Sequence, residues 1–189
     1  MQQLLTDTLA AAPLSALIVS SLLVILLHTF RKDAEHGVFL LSLAGIAAAL
    51  VYAVLLFPER GIAFSGMIVT GGYASIITVI LLLAAVLALL HAREVLPKLG
   101  AHYGEFYILV MLSLTGMVTL ATAYDLVSAF IGLEIMSVSL YVLAGLLRSQ
   151  RRANEAALKY FLLGAFSTGF LLYGIALIYG ATGSTGYEV

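Results

Sequence analysis

The sequence predicts an all-α, polytopic membrane protein with about six transmembrane helices. Of its 189 residues, 62% are hydrophobic and only 10% are charged, whereas a soluble domain usually carries about 25% charged residues. Helices that are apolar on every side need lipid or a very large protein core around them. A chain of this length cannot supply such a core, so these observations favour an integral membrane protein.

Six hydrophobic segments, in chain order, each approach the roughly 20 residues that cross about 30 Å of hydrocarbon. Pro13 suits the first turn of the first helix, where its missing N–H costs nothing. The longest polar loop, HAREVLPKLGAHYGEF, separates the third segment from the fourth, whereas only Tyr124 and Asp125 separate the fourth from the fifth. We therefore expect the fourth and fifth helices to form a tight antiparallel hairpin. The predicted spans are residues 14–30, 37–57, 70–91, 105–123, 125–147 and 155–180.

The distribution of Lys and Arg between short loops predicts the orientation, because positive loops stay on the cytoplasmic side. The loops after the first, third and fifth spans carry seven of these residues, and the opposite side carries only Arg60. The N-terminal run MQQLLTDTLAAAP lacks the positive region of a secretory signal. We expect a retained first span, with the N-terminus outside a bacterial inner membrane and the basic loops in the cytoplasm. The seven residues are Arg31, Lys32, Arg93, Lys98, Arg148, Arg151 and Arg152.

Composition also excludes several classes of function. A net charge of -1 gives no support for nucleic-acid binding. The chain has no cysteine, which excludes thiolate metal sites, iron–sulfur ligation and disulfides. The four histidines show no spacing typical of a metal site. We therefore expect no cofactor or metal in this chain, and any redox chemistry must lie on another subunit.

Glu134 is the leading candidate functional residue. It lies nine residues into the fifth span, roughly 13 Å from the outer end. A charged side chain at the bilayer centre costs several kcal/mol, and such residues usually face a bundle interior and serve an ion pathway. At 100° per residue, Ser137, Tyr141 and Gly145 fall on the same face and form a polar stripe. The alternative is a neutral, buried Glu134 that only hydrogen-bonds to a neighbouring helix.

Lys159, in NEAALKYFLLGAF, is the second candidate. It is either a proton-relay group or an interfacial lysine paired with Glu155, four residues earlier in the favourable order. Depths measured along the helices place Glu134 roughly 20 Å and Lys159 roughly 8 Å from the cytoplasmic end, so a direct pair between them is not expected. Asp125 is expected to cap the fifth helix. Glycines in the sixth span are expected to allow close helix packing; they are Gly164, Gly169, Gly174 and Gly180.

Three motifs carry a resemblance to a known family. The runs DLVSAFIGLEIMSVSLYVLAG and RRANEAALKYFLLGAFSTGFLLYGIALIYGATGS, with EFYILVMLSLTGM from Glu105, resemble the antiporter-like membrane subunits of proton-translocating NADH–quinone oxidoreductase (respiratory complex I). "GLE" with "EAALKYF" favours chain N over its sister chains L and M. The resemblance is specific across residues 105–186 and vague across 1–100. It implies that Glu134 belongs to a proton half-channel, that Lys159 matches the family's lysine in the sixth helix, and that the glutamate pairs with a lysine on a seventh, broken helix.

The resemblance also implies that part of the family fold is missing. Such subunits have about fourteen spans around two inverted repeats with broken helices. Residues 1–100 would be a three-helix membrane region, and 101–189 the first three helices of an incomplete repeat. The sequence is then either a fragment or a subunit whose remainder is a separate chain, and alone it should not pump.

The resemblance implies a cofactor-free, proton-translocating subunit whose partners are other membrane subunits and the bilayer. The flavin, iron–sulfur clusters and quinone would then lie on partner subunits. Two alternatives stay open: a subunit of a multisubunit cation/proton antiporter without a redox partner, and a six-helix scaffold in which Glu134 only specifies packing.

Overall fold

A computed structural model describes residues 2–31, 35–99 and 103–187 of the protein, and these residues form seven helices and one two-stranded sheet. Helices α2 to α7 are the six long and apolar enough to cross a membrane, which confirms the predicted number and class of spans. The helices are α1 (Gln2–Ala10), α2 (Ala12–Phe30), α3 (Glu35–Leu55), α4 (Gly72–Leu99), α5 (Tyr103–Thr122), α6 (Leu126–Ala144) and α7 (Arg151–Thr182). The strands are β1 (Gly61–Ala63) and β2 (Ile68–Thr70), paired antiparallel with Ile62 opposite Val69.

The main core lies between α2, α3, α4 and α5. Fully buried side chains from each helix meet there, among them Leu17, Ile46, Leu82 and Met111. On α7 the only buried residue is Ile175 among those that the structure describes. The apolar side chains of α7 therefore face outward, as expected for contact with lipid or further protein.

Helices α5 and α6 approach so closely that their backbones touch. A Cβ added to Gly116 would lie 2.8 Å from the Gly132 carbonyl oxygen, and one added to Gly132 would lie 2.5 Å from the Leu120 nitrogen. Small residues allow such approach in membranes, where packing rather than hydrophobic burial drives helix association. The pair confirms the antiparallel hairpin that the two-residue connection predicts.

Two helix boundaries differ from the prediction by four residues or more. α4 continues to Leu99 instead of ending near residue 91, because Ala92 and Leu96 are buried in a small cluster with Phe106 and give the polar-looking segment an apolar side. α7 begins at Arg151 rather than 155, because hydrophobic length marks only the part of a helix that lies in the hydrocarbon, and a helix can continue into polar residues beyond it. Neither the hairpin β1–β2 nor the short helix α1 was predicted.

Backbone hydrogen bonds join the hairpin, the α5–α6 turn and the segment after α7 at one end of the bundle. Tyr124 N–H donates to the Met67 carbonyl over 2.8 Å, and Leu126 N–H donates to the Thr185 carbonyl over 2.8 Å. Gly183 ends α7 in the left-handed conformation, with φ of 72°. The GATGSTG stretch is therefore a helix cap and turn, and the connections after α3, α5 and α7 lie together at this end of the bundle.

Asp125 caps α6, as predicted, because its Oδ1 accepts the Ser128 N–H at 2.6 Å. Its Oδ2 also accepts the Thr185 hydroxyl at 3.3 Å. Asp125→Ala should lower the free energy of unfolding by about 1 kcal/mol, the typical value of an N-cap. Titration of the detergent-solubilised protein with SDS measures this loss. Asp125→Asn keeps a capping oxygen, so its free energy of unfolding should fall by only a small part of that amount. An equal loss in both variants would contradict the cap as the cause.

Candidate functional site

Glu134 lies at the ninth position of the nineteen-residue helix α6, in the middle of a membrane-spanning segment. The side chain is half-buried, and its Oε1 is fully buried without a hydrogen-bond partner among the described residues. A buried carboxyl oxygen without a partner loses its interactions with water and gains none in return. The position therefore has unmet hydrogen-bonding capacity of the kind that a water molecule, a proton donor or a cation could satisfy.

The face of α6 that carries Glu134 is the face turned towards α7. Gly132, which packs on α5, lies about 160° around the helix from Glu134, whereas Tyr141 lies within about 20° of it. Ser137 and Tyr141 on this stripe are both buried. Tyr141, at one end of the predicted stripe, therefore lies at the α6–α7 contact, and the polar path through Ser137 and Tyr141 stays a prediction.

Tyr141 anchors that contact. Its hydroxyl end reaches the Gly164 backbone so closely that any added Cβ at Gly164 would overlap it. Its ring packs edge-on against Tyr160, with centroids 4.7 Å apart, and against Phe161 at 6.0 Å. Gly164 thus allows the close packing predicted for it, and it places a phenolic hydroxyl on the same stripe as Glu134.

The other predicted glycines do not pack in this way. A Cβ at Gly169, Gly174 or Gly180 would meet nothing within 4 Å. These three lie on sides of α7 that α6 does not cover, so the described part of the chain does not pack closely against them, and close packing against further protein stays a prediction.

Lys159 is not brought to Glu134. Its Nζ lies 2.5 Å from Glu155 Oε1, and the two side chains are 69% and 57% exposed. This is the i,i+4 pair that the sequence predicts, and exposed pairs of this type contribute little to stability. The geometry also agrees with the depth argument, which separates Lys159 from Glu134 along the membrane normal.

Two further buried polar atoms were missed by sequence reasoning. His28 Nδ1 and Ser113 Oγ lack hydrogen-bond partners among the described residues. The His28 ring lies directly against Gly104 at the start of α5, a contact that no local pattern reveals. Within the described part of the chain, no cluster of His, Asp or Glu has the arrangement of a metal site.

Comparison with known proteins identifies the family to which this chain is related. A family model described as "NADH:quinone oxidoreductase/Mrp antiporter, TM" matches residues 123–188, the segment that contains Glu134 and Lys159. "NADH-quinone oxidoreductase subunit N 1" of Chloroherpeton thalassium is 42% identical over 183 residues, which are 96% of this chain and 38% of that protein. The chain thus spans well under half the length of this relative.

Solved structures show the same fold. A chain of respiratory complex I from Thermus thermophilus, determined with bound aureothin, superposes with a TM-score of 0.81 at 36% identity, over 94% of this chain and 38% of that one. A chain of the membrane-bound sulfane sulfur reductase, an archaeal respiratory membrane complex, superposes at 0.82 with 22% identity and the same coverage; this likeness concerns the fold alone. The chain therefore belongs to the antiporter-like family of membrane subunits, as a homologue of part of NADH-quinone oxidoreductase subunit N.

Proposed function

We propose that this chain forms part of a proton path in the membrane arm of a proton-pumping NADH–quinone oxidoreductase. The observation that carries the proposal is the buried Oε1 of Glu134 in the middle of α6, which has no hydrogen-bond partner among the described residues. Ionisable residues at this depth usually serve ion pathways. The homology to subunit N gives the class of complex.

In this proposal Glu134 carries the proton. A carboxyl group can take up and release a proton, and acidic residues in the membrane interior usually serve ion pathways. Ser137 and Tyr141 supply hydroxyls along the same stripe, each able to donate and accept. Lys159, exposed and paired with Glu155, acts as a secondary relay or a polar anchor near the membrane surface.

The proposal needs further protein beyond these helices. The outer side of α7 is open, so other membrane subunits, or further transmembrane segments of the kind that the longer relatives contain, would form the second wall of the path. The division into a three-helix region (1–100) and part of a channel repeat (101–189) remains a prediction. Electron transfer, with the flavin, iron–sulfur clusters and quinone, is assigned to partner subunits. Electron transfer on the partner subunits would then be coupled to Glu134 by conformational change, not by redox chemistry in this chain.

The proposed membrane is the bacterial inner membrane, with the basic connections in the cytoplasm. The excess of Lys and Arg in these connections supports this orientation. Arg148 and Glu105, from two of the basic-side connections, form a salt bridge of 2.7 Å and so lie at the same end of the bundle. The hairpin β1–β2 and the segment after α7 meet at the opposite end.

A multisubunit cation/proton antiporter subunit is the second candidate, because the matching family description names an Mrp antiporter as well. The two functions differ in the source of energy. Sealed vesicles that contain the complex with this chain should become acidified on addition of NADH and a soluble quinone, and an uncoupler should abolish the gradient. Acidification driven only by an imposed sodium gradient, without a response to NADH, would favour the antiporter.

A further inference from the structure

A polar cavity of about 230 Å³ opens between α3, α4 and α5, away from Glu134. It is lined by Glu35, His36, Phe39, Arg93 and Tyr107. Glu35 is the first residue of α3, and Arg93 lies six residues before the end of α4. The 28 residues of α4 extend about 42 Å, well beyond a hydrocarbon core of about 30 Å. The cavity near its end therefore lies at the level of lipid headgroups.

The positive side of the cavity is Arg93. Its guanidinium carbon lies 4.7 Å above the centre of the Phe39 ring, a stacking arrangement that holds the group in place. Arg93 forms no salt bridge with any described acidic residue, so its charge is available to a ligand. Its Nη2 makes a long contact of 3.5 Å with His36 Nδ1. Arginine can only donate, so Nδ1 accepts, and in the neutral ring Nε2 keeps its proton as a further donor.

The negative side of the cavity is Glu35, an exposed carboxylate that also forms no ion pair with a described residue. A free phosphate or a purely anionic headgroup would be attracted by Arg93 but repelled by Glu35. A headgroup with both a phosphate and an ammonium would be attracted by both residues. A primary ammonium has three N–H donors for a carboxylate, whereas a trimethylammonium has none.

We propose that this cavity binds the headgroup of phosphatidylethanolamine, with the phosphate on Arg93 and His36 and the ammonium on Glu35. An acyl chain then continues over the apolar surface of α3 and α4, where Leu40 and Leu90 are about half exposed. The lipid satisfies both charged groups of the cavity at once. It also ties α3 to α4 at the membrane surface.

The test uses the purified membrane complex that contains this chain. The complex is delipidated in detergent and incubated with mixed micelles of phosphatidylethanolamine, phosphatidylcholine and phosphatidylglycerol in equal amounts. Native mass spectrometry then counts the lipids retained per complex. Arg93→Gln should lose one phosphatidylethanolamine relative to the unmodified complex, and Lys98→Gln, which removes a charge from the same end of α4 outside the cavity, should lose none.

Glu35→Gln separates this headgroup from an anion site. It should keep one lipid but lower the preference for phosphatidylethanolamine over phosphatidylglycerol by about fivefold, the upper range for an exposed charge pair. Retention unchanged in Arg93→Gln would overturn the proposal, and so would an unmodified complex that prefers phosphatidylglycerol at this position. If Arg93→Gln fails to assemble, the preference measured in Glu35→Gln still decides. A protein side chain of a neighbouring subunit filling the cavity in the complex would also overturn it.

Discussion

Replacing Glu134 by glutamine should reduce proton translocation by about tenfold or more while the complex still assembles. Glutamine has almost the same size and can occupy the same half-buried position on α6, but it cannot take up and release a proton. The side-chain amide of the glutamine would occupy the same surroundings as Glu134 Oε1, which has no hydrogen-bond partner among the described residues. The measurement is NADH-driven acidification of vesicles that contain the full complex, divided by the rate of NADH oxidation.

Glu94→Gln is the matched control for this experiment. Glu94 is an exposed glutamate on α4, and its replacement exchanges the same carboxyl group for an amide. We expect it to leave the ratio of protons to electrons unchanged. An unchanged ratio in Glu134→Gln as well would contradict the proton-carrying role, and full tolerance of Glu134→Ala would support the scaffold alternative.

Replacing Gly116 by valine should prevent stable packing of α5 on α6 and so lower the amount of assembled complex most strongly among substitutions of the core. Even a single Cβ at this position meets the backbone of α6, including the Gly132 carbonyl oxygen at 2.8 Å. Backbone atoms cannot move aside as a flexible side chain does. Overpacking of this kind costs about 1–3 kcal/mol for alanine, and the larger branched side chain should cost more. The amount of complex extracted from membranes measures the effect.

Gly116→Ala and Gly174→Ala form the corresponding matched pair. Alanine favours a helix over glycine by about 1 kcal/mol, so both substitutions gain the same propensity. At Gly174 a Cβ meets nothing within 4 Å, and this variant should be neutral or slightly more stable. At Gly116 the backbone clash should exceed the gain. Equal stability of the two variants would show that the close approach of α5 and α6 is not required.

The spans and several local contacts could be predicted because their causes are local in sequence. Hydrophobic length identifies all six membrane-spanning helices. Asp125 before an apolar run predicts the cap, and the four-residue spacing predicts the Glu155–Lys159 pair. The extension of α4 depends instead on burial of Ala92 and Leu96 against residues far along the chain. The hairpin β1–β2 turns through Phe64, Ser65 and Gly66, all with positive φ. The Ser-Gly pair is a common turn signal, but a residue such as Phe64 rarely adopts positive φ, so the turn geometry could not be read from the sequence.

The candidate site could be predicted in part. The depth of Glu134 and the stripe with Ser137 and Tyr141 follow from counting residues along a helix. The role of Gly164 could not be separated from that of Gly169 or Gly174 by counting, because it depends on where a side chain of α6 meets α7. The same applies to the cavity around Arg93, whose residues come from three helices.

The backbone contacts at the hairpin end also set an order for biogenesis. Residue 68 pairs with residue 123, and residue 125 pairs with residue 186, so each pairing waits for a helix that is synthesised later. The first N–H of α6, at Leu126, obtains its carbonyl partner only when Thr185 has left the ribosome. Insertion of α7 therefore completes the turn that begins α6. A nascent chain arrested before that point would lack this backbone hydrogen bond at the start of the Glu134 helix.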